Sequence, residues 1–279
     1  MSGRAVLSLH RAVRDDIEDL VTRRPLPGPG LAQVDPFLFL NHHGPQTYPS
    51  GNRGLPFGPH PHRGFETVTF ILSGSLAHHD SGSGASVVEA GGVQWMTAGS
   101  GLVHAELSPE AFRRSGGPLE ILQLWVNLPA RLKMSDPAYV PVPASDIPTA
   151  NVGDGVSMET VSGTEGAPVR SLTDVMLAIV SIEPGGHAAL PAPRGRSVLF
   201  YTIEGGVEIA GASLPEQTLA VLGDGDRVEV ASEGGARILF GHADPIGEPV
   251  AARGPFVMNT DAEIAEAIRD YQAGRFGGL

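Results

Sequence analysis

The 279-residue chain has no cysteine. Disulfides, zinc–thiolate sites, iron–sulfur clusters and cysteine nucleophiles are therefore excluded. Basic residues are also scarce: 19 Lys and Arg stand against 31 Asp and Glu, a formal charge of −12 with the acids spread along the chain. Direct nucleic-acid binding is not expected, because phosphate contacts need clustered Lys and Arg. Long apolar runs are missing too. No 18-residue apolar stretch occurs, and the opening MSGRAVLSLHRAVRDDIEDL lacks the apolar block of a signal peptide, so no membrane association and a cytoplasmic location are expected.

Glycine (37) and proline (24) make up about a fifth of the chain, and 41% of residues are hydrophobic. With many short apolar runs, this composition argues for an all-β protein with frequent turns and a real core. Residues 4–12 and 35–40 read as strands, followed by a long irregular segment at 43–59 that is a candidate rim or lid. From Phe65 the strands come regularly: 65–72, 76–79, 86–89, 93–96, 102–107 and 120–128, with a Gly/Ser turn at 80–84. Residues 129–170 read as a Pro-, Ala- and Gly-rich crossover, after which strands resume between 175 and 241. Short strands at about ten-residue spacing suggest a sandwich or barrel. Phe70–Leu76 lines up with Tyr201–Val207, and Leu122–Trp125 with Arg237–Phe240, so a duplicated β-barrel is expected. We place the division between residues 1–135 and 136–279.

The tail differs. Thr260-Asp261-Ala262-Glu263 is a capping box, and Ile264, Ile268 and Tyr271 follow at i, i+4, i+7. A helix is expected over about 261–273, stopped by Gly274.

The chemistry concentrates in His60-Pro61-His62 and His104-Ala105-Glu106. In a strand, residues i and i+2 share a face, so each pair can aim both side chains at one point. His60, His62, His104 and Glu106 are enough to hold a divalent metal and leave positions open. Three nitrogens and one oxygen without thiolates fit an octahedral iron(II) centre; zinc, manganese, nickel, cobalt and copper are the alternatives. Pro61 donates no ladder hydrogen bond, which suits an edge strand. Glu66 lies at an even offset from His62 and competes as acid ligand, or hydrogen-bonds a ligand imidazole instead. His42-His43 and His78-His79 are adjacent pairs that cannot chelate from a strand, and they read as loop histidines at a rim. His187 and His242 have no partner motif, so no second metal is expected. Trp95, Met96, Phe57, Gln123 and Trp125 are candidates to line a pocket.

At these residues the sequence resembles the pirin family of the cupin superfamily. The resemblance is carried by HPHRGFETVTFILSG (60–74), GGVQWMTAGSGLVHAE (91–106), QLWVNLP (123–129) and GPFVMNTDAEIAEAIRDYQAGRFG (254–277), with weaker agreement in DPFLFLNHHGP (35–45). It implies two stacked cupin (jelly-roll-like) β-barrels with a C-terminal helix, and a metal, usually iron, only in the first, held by His60, His62, His104 and Glu106. It further implies a quercetin 2,3-dioxygenase-like oxidoreductase, taking a flavonol and O2; in such an enzyme Glu106 is expected to serve as ligand and, on detaching, as the catalytic base that takes the flavonol proton. The alternative it implies is a metal- or redox-sensing regulatory protein that binds a transcription factor or a metabolic enzyme. A monomer is expected.

Overall fold

Runs of β-branched and aromatic residues between Gly-rich turns, such as FETVTFILS (65–73) and SVLFYTIEG (197–205), form strands throughout. The computed structural model of the chain describes residues 2–82 and 84–279. Ser83, in the Gly/Ser turn expected at 80–84, lies outside them. The protein is all-β, with two α-helices among the described residues, Glu110–Ser115 and Asp261–Gln272. Among the described residues no helix is long and apolar enough to cross a membrane.

Two compact units form, and neither is contiguous in sequence. The first comprises Arg14–Arg23, Phe39–Ser145 and Ile246–Leu279; the second comprises residues 2–13, Arg24–Leu38 and Asp146–Pro245. A single division at 135/136 therefore differs from the compact units at both ends. The N-terminal strand Val6–Arg11 pairs with Thr218–Leu222 of the second unit, and the C-terminal helix belongs to the first.

The first unit is built on two antiparallel sheets. One has the order Phe57–His62, Leu102–Leu107, Ser75–Asp80, Gly84–Glu89. The strand with Pro61 is at its edge, where a missing N–H costs no ladder bond. The other runs Ala138–Val142, Val93–Thr97, Phe65–Ser73, Gly117–Asn127, Phe37–Tyr48. In the second unit, a sheet built around Met176–Pro191 encloses a buried apolar cluster that includes Val180, Leu190, Phe200, Val228, Ile238 and Phe240.

Three segments differ from the sequence reading. Phe37–Tyr48 continues as one strand through His42 and His43, and the next begins at Phe57, so the irregular part of 43–59 shrinks to 49–56. The crossover at 129–170 contains the strands Ala138–Val142 and Thr149–Ser162. Thr149–Ser162 shows mostly exposed or half-buried side chains, so it carries little apolar alternation to find. The helix Asp261–Gln272 forms as its capping box dictates. Thr260 Oγ1 accepts from Glu263 N (3.3 Å), and Glu263 Oε2 accepts from Asn259 N (3.1 Å). Ile264 and Ala267 are buried against Phe256, Met258 and Phe276.

Candidate metal centre

The first sheet brings the two histidine motifs together. Leu102–Leu107 runs antiparallel to Phe57–His62 with His104 directly opposite His60. Cross-strand partners share a face, so the imidazoles of His60, His62 and His104 converge. Ring centroids are 4.3 Å apart for His60–His104, 4.8 Å for His60–His62 and 4.9 Å for His62–His104. One ring nitrogen from each lies within 4.8 Å of the other two, the one such cluster among the described residues.

Two backbone carbonyls set the ring tautomers. His60 Nδ1 is 2.7 Å from Gly58 O, and His62 Nδ1 is 3.1 Å from Pro255 O. A carbonyl only accepts, so each Nδ1 carries a proton, and in the neutral form of either ring Nε2 is the nitrogen with the lone pair. His104 is 1% exposed, and neither of its ring nitrogens has a hydrogen-bond partner among the described residues. Burial, followed by the neighbouring His60, pushes the His62 pKa down to about 3. Burial, then His62, His60 and His78, holds His104 well below the ordinary histidine value. Three converging imidazoles, those of His62 and His104 buried and held neutral and that of His60 half-buried, with both His104 nitrogens unpartnered, fit a divalent metal ion.

Glu106 is buried on the same strand as His104, but its carboxylate is not in the three-histidine cluster. Its Oε1 accepts from Thr69 Oγ1 at 3.0 Å and its Oε2 from Gln123 Nε2 at 2.5 Å. Thr69 and Gln123 are cross-strand partners on the facing sheet. Of the four residues the sequence nominates, the structure thus gathers three and holds the fourth between two neutral donors.

Cross-strand register also defines the facing wall. Thr67 pairs with Trp125 and Met96, and Thr69 with Gln123 and Gln94, so these side chains share the face that meets Glu106. Trp125 lies 5.4 Å from His62, 4.4 Å from Phe65 and 4.6 Å from Phe39 between ring centroids.

Glu66 and Trp95 sit on the opposite face. Glu66 Oε1 accepts from Trp95 Nε1 (3.0 Å) and Thr97 Oγ1 (2.7 Å). The even offset from His62 misleads because the strands break between His62 and Phe65, with Gly64 at φ 89°, and the turn resets the alternation. Glu66 is therefore neither a candidate ligand nor a partner of a ligand imidazole, and Trp95 is not part of the wall.

The adjacent histidine pairs are strand residues, not rim loops. His42 and His43 are buried, with His42 Nε2 on Glu120 (2.8 Å) and His43 Nδ1 beside Thr22 Oγ1 (2.9 Å). His78 is buried and its Nε2 donates to Asp80 Oδ2 at 2.8 Å, while its ring stacks on Tyr139 at 3.7 Å. The His78 ring lies 5.4 Å from that of His104. The sequence pattern hides this neighbour: adjacent strand residues cannot chelate as a pair, yet one member per face lets His78 alone point inward.

Two β-barrel units, one carrying three converging imidazoles, define a double cupin with a single candidate metal centre among the described residues. Residues 19–126 match the Pirin family model and residues 177–277 the Pirin C-terminal cupin domain, and the chain belongs to the pirin family. A pirin-like protein of Caulobacter vibrioides is 38% identical over 258 residues, covering 91% of both chains. Human pirin is 37% identical over 265 residues, 91% of this chain and 87% of the human protein. The crystal structure of quercetin 2,3-dioxygenase from Acinetobacter baumannii superposes with a TM-score of 0.92 at 32% identity, covering 99% of each chain.

Proposed function

We propose that the protein is a metal-dependent dioxygenase of the quercetin 2,3-dioxygenase type, acting on quercetin or a related flavonol with O2. The observation that carries this reading is the convergence of the His60, His62 and His104 imidazoles beside a wall that bears Trp125. His60, His62 and His104 would hold the metal through ring nitrogens, with Glu106 as fourth ligand and iron(II) as the preferred ion. A divalent metal held there supplies Lewis acidity and, for iron, one-electron chemistry with dioxygen.

The chain's own residues supply the rest. Half-buried Trp125 offers flat apolar surface for a planar polyphenol next to His62, and the fully buried Phe65 packs behind it. Thr69 and Gln123 aim Glu106, whose carboxylate would either join the three imidazoles or accept the proton of a flavonol hydroxyl at Oε1 or Oε2. The similarity to the Acinetobacter baumannii quercetin 2,3-dioxygenase supports the substrate class.

Iron-loaded protein is to be incubated with quercetin, first without and then with oxygen, following flavonol absorbance and released carbon monoxide. Oxygen-dependent loss of absorbance, abolished in His60→Ala, His104→Ala and Glu106→Ala, is expected. Turnover that survives His104→Ala unchanged would sink the reading. Metal uptake with no turnover of any flavonol would also sink it, and would leave a metal-sensing binding protein.

A further inference from the structure

Lys133 is the only lysine in the chain, and it is 1% exposed. A buried ammonium is costly unless its donors are matched. Here all three N–H groups have acceptors: Gly64 O at 2.9 Å, Asn127 Oδ1 at 2.7 Å and Val257 O at 3.1 Å. None of these is a carboxylate, so the arrangement is not an ion pair. The acceptors come from three separate places: the turn just after His62, the end of the strand Gly117–Asn127 that carries Gln123 and Trp125, and the C-terminal strand Phe256–Met258.

That C-terminal strand is the one that supports His62. Pro255 O accepts from His62 Nδ1 at 3.1 Å, and Val257 N donates back to Arg63 O at 3.0 Å. The turn is pressed onto it: Gly64 has φ 89°, and a Cβ there would sit 1.9 Å from Val257 O. Arg63 adds a second tie through Asp270 of the C-terminal helix, at 2.9 Å. Without Lys133, two carbonyls, Gly64 O and Val257 O, would face one another with no donor between them.

We propose that Lys133 is a positioning residue of the metal centre: it ties Val257 to Gly64 and so holds the Pro255 carbonyl where it fixes the Nδ1–H tautomer of His62 and leaves Nε2 for the metal. The inference rests on the metal-binding reading above. It also explains why residues 246–279 return to the first unit: they complete the support of one of its imidazoles. A lysine that served packing alone would affect stability while leaving the His62 tautomer of the folded protein as it is.

The test uses the full-length chain with Lys133→Met, which keeps the length of the side chain without its donors, and Asn127→Ala, which removes one acceptor and loosens the lysine. Thermal unfolding establishes that each variant is folded. Long-range 15N–1H correlation of the His62 ring in metal-free protein reads the tautomer, and calorimetric titration with Ni2+ reads the affinity. The expected result for folded Lys133→Met is an Nε2–H population at His62 and Ni2+ binding weaker by about 10- to 100-fold, with Asn127→Ala between it and wild type. A folded variant with wild-type tautomer overturns the proposal, whether or not affinity has dropped. Should Lys133→Met fail to fold, Asn127→Ala decides by the same readouts. Should the wild-type chain take up no Ni2+, the metal reading fails by itself, and the tautomer measurement still decides the role of Lys133.

Discussion

Thr69 donates its hydroxyl to Glu106 Oε1 at 3.0 Å, from one sheet of the first unit to the other. Glu106 is 3% exposed, and a buried carboxylate without donors is strongly disfavoured. Thr69→Val keeps the shape and deletes the donor, so metal-free protein should lose about 1–3 kcal/mol of stability. If Glu106 is the fourth ligand, metal-loaded Thr69→Val should lose less, because coordination gives the oxygen a new partner. Urea denaturation of wild type and variant, with and without Ni2+, measures both differences. Equal losses in the two forms would count against Glu106 as ligand.

Glu66 tests the face assignment. It is 1% exposed, and burial raises its carboxyl pKa, opposed by the hydrogen bonds from Thr97 and Trp95. Its Oε2 has no partner among the described residues. Glu66→Gln keeps the acceptor for Trp95 and Thr97 and removes the charge. A raised folded pKa means that the wild type loses stability as pH climbs above the unfolded value of 4.5. The variant lacks that loss, so its advantage should widen as pH rises above 4.5. Ni2+ affinity should stay within about twofold of wild type, as for sites without shared partners. A drop beyond about tenfold would return Glu66 to the metal.

What was legible in the sequence follows the period of the strand. His60, His62 and His104 could be paired from spacing alone because each motif lies within one unbroken strand. Glu66 could not, because Gly64 resets the alternation in a way that parity counting does not register. The carbonyls of Gly58 and Pro255 that orient the imidazoles are backbone groups, invisible to any residue pattern. The C-terminal helix was readable from Thr260 and Glu263, but not which barrel it completes, since an apolar stripe does not name its partner. Thr149–Ser162 escaped notice because its Gly-, Ser- and Thr-containing pattern lacks a clear buried side.

The second unit makes its own prediction through His242. This residue is 8% exposed, and its Nδ1 has no partner among the described residues. Burial, then the charges of Arg196 and Arg4, lowers its pKa from 6.5 to about 4. In the unfolded chain His242 takes up a proton near pH 6.5, whereas in the folded protein it does so only near pH 4. Across that window the unfolded state binds more protons, so stability falls as the pH is lowered. The shift corresponds to about 2–3 kcal/mol lost between pH 7 and pH 4.5. His242→Gln has no proton to take up, and should lose less over the same interval by about that amount. His62 and His104, also held neutral by burial, contribute the same acid sensitivity to wild type and variant and cancel in the comparison. Urea denaturation at pH 7 and pH 4.5 reads the difference. Parallel acid losses in the two proteins would show that His242 is protonated in the fold at no cost, and that the pairing of burial with Arg196 and Arg4 does not set its titration.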